Sequence, residues 1–305
     1  MTALTEPWIL LAVAAAAVQT VRSVLQKEMT ARLSVMGSTY ARFLYGLPLA
    51  FGFLAVGMAV TGRPLPDVHA TFFGYVLLGA LGQVIGNVLF ITLISHTHFT
   101  ISATYVKTET VLAAGISFLV LGDVLSPLGV FGIVVTVIGC MVLAAGKERV
   151  SLATLIRGLG SRAAVQGLSA GAVYAVASTC YRAATLSLGT DALEFNAIYC
   201  LCWVAVIQSI GLGCYLGWSD RSSLIEVFRS WRSSAWIGVT GVIASACWYA
   251  AFALQATAYV LAVGQVEVLF AYLASRFRFR ERASAIEAVG ILITVGGILC
   301  VGFAR

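Results

Sequence analysis

The sequence predicts an all-α integral membrane protein with ten transmembrane helices arranged as two inverted five-helix repeats. Three observations lead there. The 305-residue chain is 60% hydrophobic and only 10% charged, more apolar surface than a water-soluble core can hide. Apolar stretches follow one another almost end to end, each near the ~20 residues needed to cross about 30 Å of hydrocarbon. The second half of the chain also repeats the first.

The spans, in order, are 8–25, 34–60, 71–94, 97–121, 127–145, 165–188, 193–217, 235–254, 258–279 and 284–304, separated by polar or Gly/Pro punctuation. The first has no basic leader and is followed by further spans, so it reads as a membrane helix rather than a cleaved signal. In the third, Gly82 and Gly86 suit a close helix contact. Ser126-Pro127 supplies an N-cap and N1 proline to the fifth, and Ser284 with Glu287 a capping box to the tenth. Asp123 and Glu281, just before those helices, complement their dipoles. Trp8, Trp218, Trp231 and Trp236 sit near span ends, where an interfacial belt accounts for them. The two sizeable loops are 146–164, basic and with room for a short interfacial helix, and 218–234. Neither is large enough for a soluble domain.

Residues 107–146 align without a gap to residues 265–304, a constant offset of 158 that pairs Glu109 with Glu267, Asp123 with Glu281, and Gly132, Thr136 and Gly139 with Gly290, Thr294 and Gly297. Earlier in each half an offset of 160 pairs Arg22 with Arg182 and Thr30 with Thr190. The implied division is a first repeat over 1–146, a basic linker over 147–164 and a second repeat over 165–305. Five helices per repeat make the second copy enter from the opposite face, the inverted architecture of secondary transporters.

Basic residues set the topology. Loops after odd-numbered spans carry most of them, among them Lys27, Arg32, Lys147, Arg149, Arg229, Arg276 and Arg280, whereas the opposite side carries Arg63 and Arg305. The positive-inside rule makes the odd loops cytoplasmic and places both termini outside the inner membrane. The net charge of +6 is scattered among these loops, so topology explains it and nucleic acid is not an expected partner. All seven cysteines fall in apolar stretches and read as small hydrophobes. His96 and His98 have no acidic or cysteine companion, so no metal site and no cofactor are expected.

The fourth and ninth spans place Glu109 and Glu267 near the bilayer centre. Ionised carboxylates there are costly, and such residues ordinarily line a pathway; burial disfavours their charged form, which suits them to hold either a proton or a cationic amine. The bland alternative is that each neutralises an arginine. Lys107 and its repeat partner Gln265 stand two residues earlier, about 200° around a regular helix, and so face elsewhere; a buried Lys107 needs a partner. Tyr105, four residues before Glu109, shares its face and offers a cation–π wall or plain packing. Asn87, Trp248 and Tyr249 are candidate cavity lining. Arg22 and Arg182 either gate the site, bind a substrate carboxylate, or snorkel to headgroups. Arg42, early in the second span, reads as snorkelling.

The Ala41-Arg42-Phe43 stretch, the Leu121-Gly122-Asp123 segment with Gly132, Thr136 and Gly139, and the Arg280-Glu281 segment with Gly290, Thr294 and Gly297 resemble the drug/metabolite transporter superfamily, specifically its ten-helix EamA-type members. The resemblance spans the chain and implies a carrier of small solutes while leaving the solute open. The chain departs from that family in carrying Glu109 and Glu267 where uncharged residues are usual, and in a charge balance that puts the termini outside.

The expected function is secondary active transport of a small amine-bearing or zwitterionic metabolite, exchanged for protons by alternating access. The alternative is an anion or zwitterion exchanger built on Arg22 and Arg182. A lipid-acting membrane enzyme needs a nucleophile with its base or a motif such as HExxH, and neither is present. The expected partners are a small-molecule substrate and membrane lipid. One chain can hold a complete pathway, so a monomer suffices and a dimer is compatible with it.

Overall fold

The computed structural model describes residues 6–29, 33–96, 105–148, 161–279 and 285–304. Among the expectations above, those on Thr30, Arg32, His98, Arg149, Arg280, Glu281 and Ser284 lie outside the described residues, as does most of the 146–164 loop.

Every regular element among the described residues is a helix. They are α1 (Pro7–Met29), α2 (Val35–Thr61), α3 (Ala70–His96), α4 (Glu109–Leu121), α5 (Pro127–Glu148), α6 (Arg162–Ser187), α7 (Leu193–Ser219), α8 (Arg221–Arg229), α9 (Trp231–Leu254), α10 (Thr257–Gly264), α11 (Val266–Phe279) and α12 (Ala285–Phe303). Six of them are long and apolar enough to cross a membrane by length and composition, and the segments from Glu109, Pro127 and Thr257 are shorter apolar helices.

The helix ends follow from local chemistry. Ser34 caps α2, its hydroxyl accepting from Gly37 N–H at 3.1 Å, and Gly62 ends that helix in the left-handed region at φ 64°. Gly122, at φ 71°, ends α4, with Gly122 N–H donating to Phe118 and Asp123 N–H to Ser117 O. The Gly122 bond is that of the αL C-terminal motif. Ser126 caps α5 by accepting from Gly129 N–H at 3.2 Å. Asp123 turns back instead of serving the α5 dipole: its carboxylate accepts from the Ser117 hydroxyl of α4. Trp8 also departs from expectation. It is 4% exposed and donates to Glu6 at 2.7 Å, whereas Trp218 is 89% exposed.

The chain packs as two compact units, and each draws on both sequence halves. The first comprises 1–13, 82–179 and 255–305, the second 14–81 and 180–254. In the first unit α5 packs along α12. A Cβ on Gly297 would lie 2.5 Å from Thr136 N, and one on Gly139 would run into Thr294 N; a Cβ on Gly132 would lie 2.8 Å from Val301 N and one on Gly290 2.7 Å from Leu143 Cα. Residue numbers rise along one helix as they fall along the other, so the two are antiparallel. Under the 158-residue offset the contact Gly139–Thr294 becomes Gly297–Thr136, and Gly132–Val301 becomes Gly290–Leu143. Equivalent helices that exchange contacts this way are related by a two-fold axis across the helices, the symmetry of an inverted repeat.

Elsewhere in this unit Gly82 receives Ala177 and Gly86 the Tyr174 ring, which brings α3 close to α6. The second unit centres on α2 packed against α7 and α9. There a Cβ on Gly238 would lie 2.5 Å from Tyr45 C. Phe72 and Tyr199 stack at 6.0 Å, and Tyr181 and Tyr249 at 4.5 Å.

Candidate functional site

The fourth and ninth spans are both interrupted at repeat-equivalent places. The chain is helical at 105–106, turns through Lys107 and Thr108, and resumes as α4 at Glu109. In the second half α10 ends at Gly264, Gln265 forms the turn, and α11 resumes at Val266. The hydrogen bonds correspond as well: Thr110 N–H donates to Lys107 O at 3.4 Å, and Val268 N–H to Gln265 O at 3.0 Å. These span three residues rather than four, a tightening of the 3₁₀ kind often found at functional breaks in helices. Thr108 (φ −62°, ψ −15°) and Gln265 (φ −62°, ψ −10°), each just before a resumed helix, both have right-handed helical backbone. Glu109 and Glu267 thus occupy the first turns of two resumed half-helices, where the partial positive charge of the N-terminus favours a carboxylate.

The interruption changes which way side chains point. A regular helix would turn Lys107 away from the glutamates. Here its Nζ stands 4.0 Å from Glu267 Oε2, with the two side chains 25% and 24% exposed. Glu109, half-buried, lies within electrostatic reach of both Lys107 and Glu267. One lysine of the first repeat therefore stands near a carboxylate from each repeat.

Gln265, 6% exposed, forms the floor. Its Nε2 donates to Thr110 Oγ1 at 3.2 Å and to Leu261 O at 3.3 Å, and its Oε1 accepts from Cys140 Sγ at 3.7 Å. Thr294 Oγ1 reaches Cys140 Sγ at 4.0 Å and donates to Gly290 O at 2.8 Å. This buried chain of groups ties α4, α5, α10 and α12 together through the turn at Gln265. Sequence reasoning passed over Gln265, although its repeat partner was already a candidate.

The other candidates make contacts of their own. Tyr105, 3% exposed, precedes the break and packs on α6, where a Cβ on Gly167 would lie 2.5 Å from Tyr105 Cβ. The i, i+4 argument does not survive the interruption. Asn87 Oδ1 accepts from Tyr174 Oη at 3.5 Å. In the second unit Trp248 Nε1 donates to Gln19 Oε1 at 3.1 Å and its ring stacks on Phe252 at 5.7 Å. Arg22 is 9% exposed. Arg182 donates from Nη1 to Phe252 O and, at 3.3 Å, to Ala253 O, the last carbonyls of α9. It caps a helix C-terminus. Arg42 does not snorkel. Its Nη2 donates to Ser245 Oγ of α9 at 3.1 Å, and its guanidinium lies 5.0 Å from the Phe43 ring centroid. The short polar side chain of Ser245, one turn before Tyr249, is the only sequence sign of that contact. No group of three or more His, Cys, Asp or Glu able to hold a metal occurs among the described residues.

Residues 6–145 match the model of the EamA-like transporter family. Over those residues the chain is similar to that family. That family belongs to the drug/metabolite transporter superfamily, a group of membrane transporters of small molecules, and the six span-length apolar helices of this chain agree with a multi-pass membrane protein. No curated protein matches the chain significantly. Among solved structures, one crystal structure, titled only as that of a protein, superposes with a TM-score of 0.70 over 98% of this chain and 99% of its own, at 14% identity. At that identity the likeness is one of fold alone. The matched stretch ends at α5, so it includes Lys107 and Glu109 but not Glu267.

Proposed function

We propose that the protein is a secondary active transporter in which the Lys107, Glu109 and Glu267 cluster binds a small amine-bearing or zwitterionic solute in exchange for protons, with the two repeats alternating access to it. The observation that carries this reading is the 4.0 Å approach of Lys107 to Glu267 at the matched interruptions, with Glu109 beside them. One cation faces two carboxylates there. At membrane depth the total charge of a site must stay small even where some water reaches it. An ammonium group that replaces a proton leaves that total unchanged, which is the condition for exchange. A zwitterion adds its own carboxylate, for which Lys107 is the natural partner once it leaves Glu267. Interrupted helices are where transporters of inverted-repeat design bind cargo.

The test is ligand-induced thermal stabilisation of the purified protein by amines, amino acids, nucleosides, sugars and organic acids at two pH values, because a ligand of the native state alone raises its apparent stability. Amine-bearing compounds should stabilise the wild type more at the higher pH, and Glu109→Gln and Glu267→Gln should not respond. If organic anions stabilise it, with both glutamine variants responding normally and Arg22→Gln failing to, the anion-exchange reading replaces this one.

A further inference from the structure

The segment 218–234, a loop by sequence, contains the nine-residue helix α8 between α7 and α9. Asp220 caps it, accepting from Ser223 N–H at 3.0 Å and Ser222 Oγ at 2.7 Å. One side is fixed to the protein. Val227 is fully buried, and its carbonyl accepts from Tyr45 Oη of α2 at 3.1 Å.

The outward side has mixed chemistry. At about 100° per residue, Phe228, Arg221, Ile225 and Arg229 fall in that angular order within an arc of roughly 100°. Ile225 is 59% and Phe228 53% exposed, and both arginines are exposed too. Immediately beyond, Trp231 is 55% exposed and Arg232 lies over its ring at 5.5 Å. Trp218, just before α8, is the most exposed tryptophan of the chain. Glu226 lies on the other side of Arg229, about 60° further round.

Exposed aromatic and aliphatic groups alternating with arginines on one face of a short helix match the boundary between acyl chains and headgroups, where the rings sink and the guanidinium groups meet phosphate. Three arginines against Asp220 and Glu226, both outside that arc, leave the segment net positive and the face complementary to negative charge. We infer that α8 and its flanking tryptophans form a docking surface for anionic glycerophospholipid headgroups, held by Arg221, Arg229 and Arg232.

The full-length protein reconstituted in nanodiscs of phosphatidylcholine alone, or with one part in four of phosphatidylglycerol, tests this by backbone hydrogen exchange over Leu224–Arg229. Anionic lipid should slow exchange in the wild type, by about fivefold for each arginine engaged. The variant Arg221→Gln/Arg229→Gln/Arg232→Gln should lose that difference, and 0.5 M salt should shrink it, as screening requires. Equal exchange in the two lipids for the wild type overturns the inference without any variant. So does a lipid difference that survives in the triple variant, or one reproduced in phosphatidylcholine by soluble glycerol phosphate.

Discussion

Lys107 and Glu267 meet at 4.0 Å across the two sequence halves, each at or just beyond the point where its helix is interrupted. With both side chains about a quarter exposed, solvent screens the pair and its contribution to stability is about 1 kcal/mol or less. On the proposed reading Lys107 competes with substrate for the carboxylates rather than serving as a structural strut. Replacing it with glutamine should lower the thermal stability of the ligand-free protein by a few degrees at most, and enlarge the stabilisation produced by amines. An unchanged response to amines would count against competition.

The antiparallel seam of α5 and α12 leaves no room for a side chain. Gly139→Ala and Gly297→Ala should each cost about 1–3 kcal/mol, because the added carbon meets backbone rather than a flexible tip. Gly115 and Gly296 have nothing within 4 Å of an added Cβ, and their alanine variants should be neutral or gain up to about 1 kcal/mol from helix propensity. Thermal unfolding of the four variants checks this; equal losses at all four would refute the seam as the cause.

Gln265 and Thr110 are both buried and hydrogen-bonded to each other. Thr110→Val and Gln265→Leu should each destabilise by about 1–3 kcal/mol, since each strands the other's polar group. The double variant should lose about 1 kcal/mol less than the sum. A double-mutant cycle gives the coupling directly, and additivity within error would mean the bond contributes nothing.

Arg182→Gln should lower stability in the absence of any ligand, by about 1–3 kcal/mol for lost charged hydrogen bonds to the end of α9. Unaltered stability combined with a lost response to carboxylate-bearing solutes would assign Arg182 to cargo instead.

Asp220 is held well below the usual carboxylate range, at about 2, by the Ser223 hydroxyl and N–H and by Ser222. A depressed value in the folded state stabilises above the unfolded value and is lost as pH falls through the folded one. Amide protection in α8 relative to Asp220→Ala should thus be constant from neutral pH to about 4 and shrink below that. Hydrogen exchange across that range measures it, and a difference that fades already between pH 6 and 5 would point to another group.

Much of the fold was legible in the sequence because lipid leaves a strong signature. Apolar length marks a helix, and two copies of one motif mark a repeat. The seam itself was not legible: Gly132, Gly139, Gly290 and Gly297 showed the repeat, but not that its two copies pack on each other. What escaped were features a regular helix cannot encode. Lys107 was assigned to the wrong side because one tightened turn rotates everything after it, and Tyr105 was joined to Glu109 by a spacing that holds only in an unbroken helix. Arg42 looked like a headgroup ligand because its partner, Ser245, is a residue type too common to advertise a contact 203 positions away. Helix α8 was hidden by its shortness.

The seam has a consequence for ancestry and for engineering. The surface that α12 presents to α5 is nearly the one α5 presents to α12, glycine meeting threonine in both directions. Each half thus contains both sides of its own joint and is, in this contact, its own template. A five-helix half paired with a second copy of itself would find the same fit through an isologous contact, so fusing the halves into one chain tethers a pairing that the helix surfaces already specify.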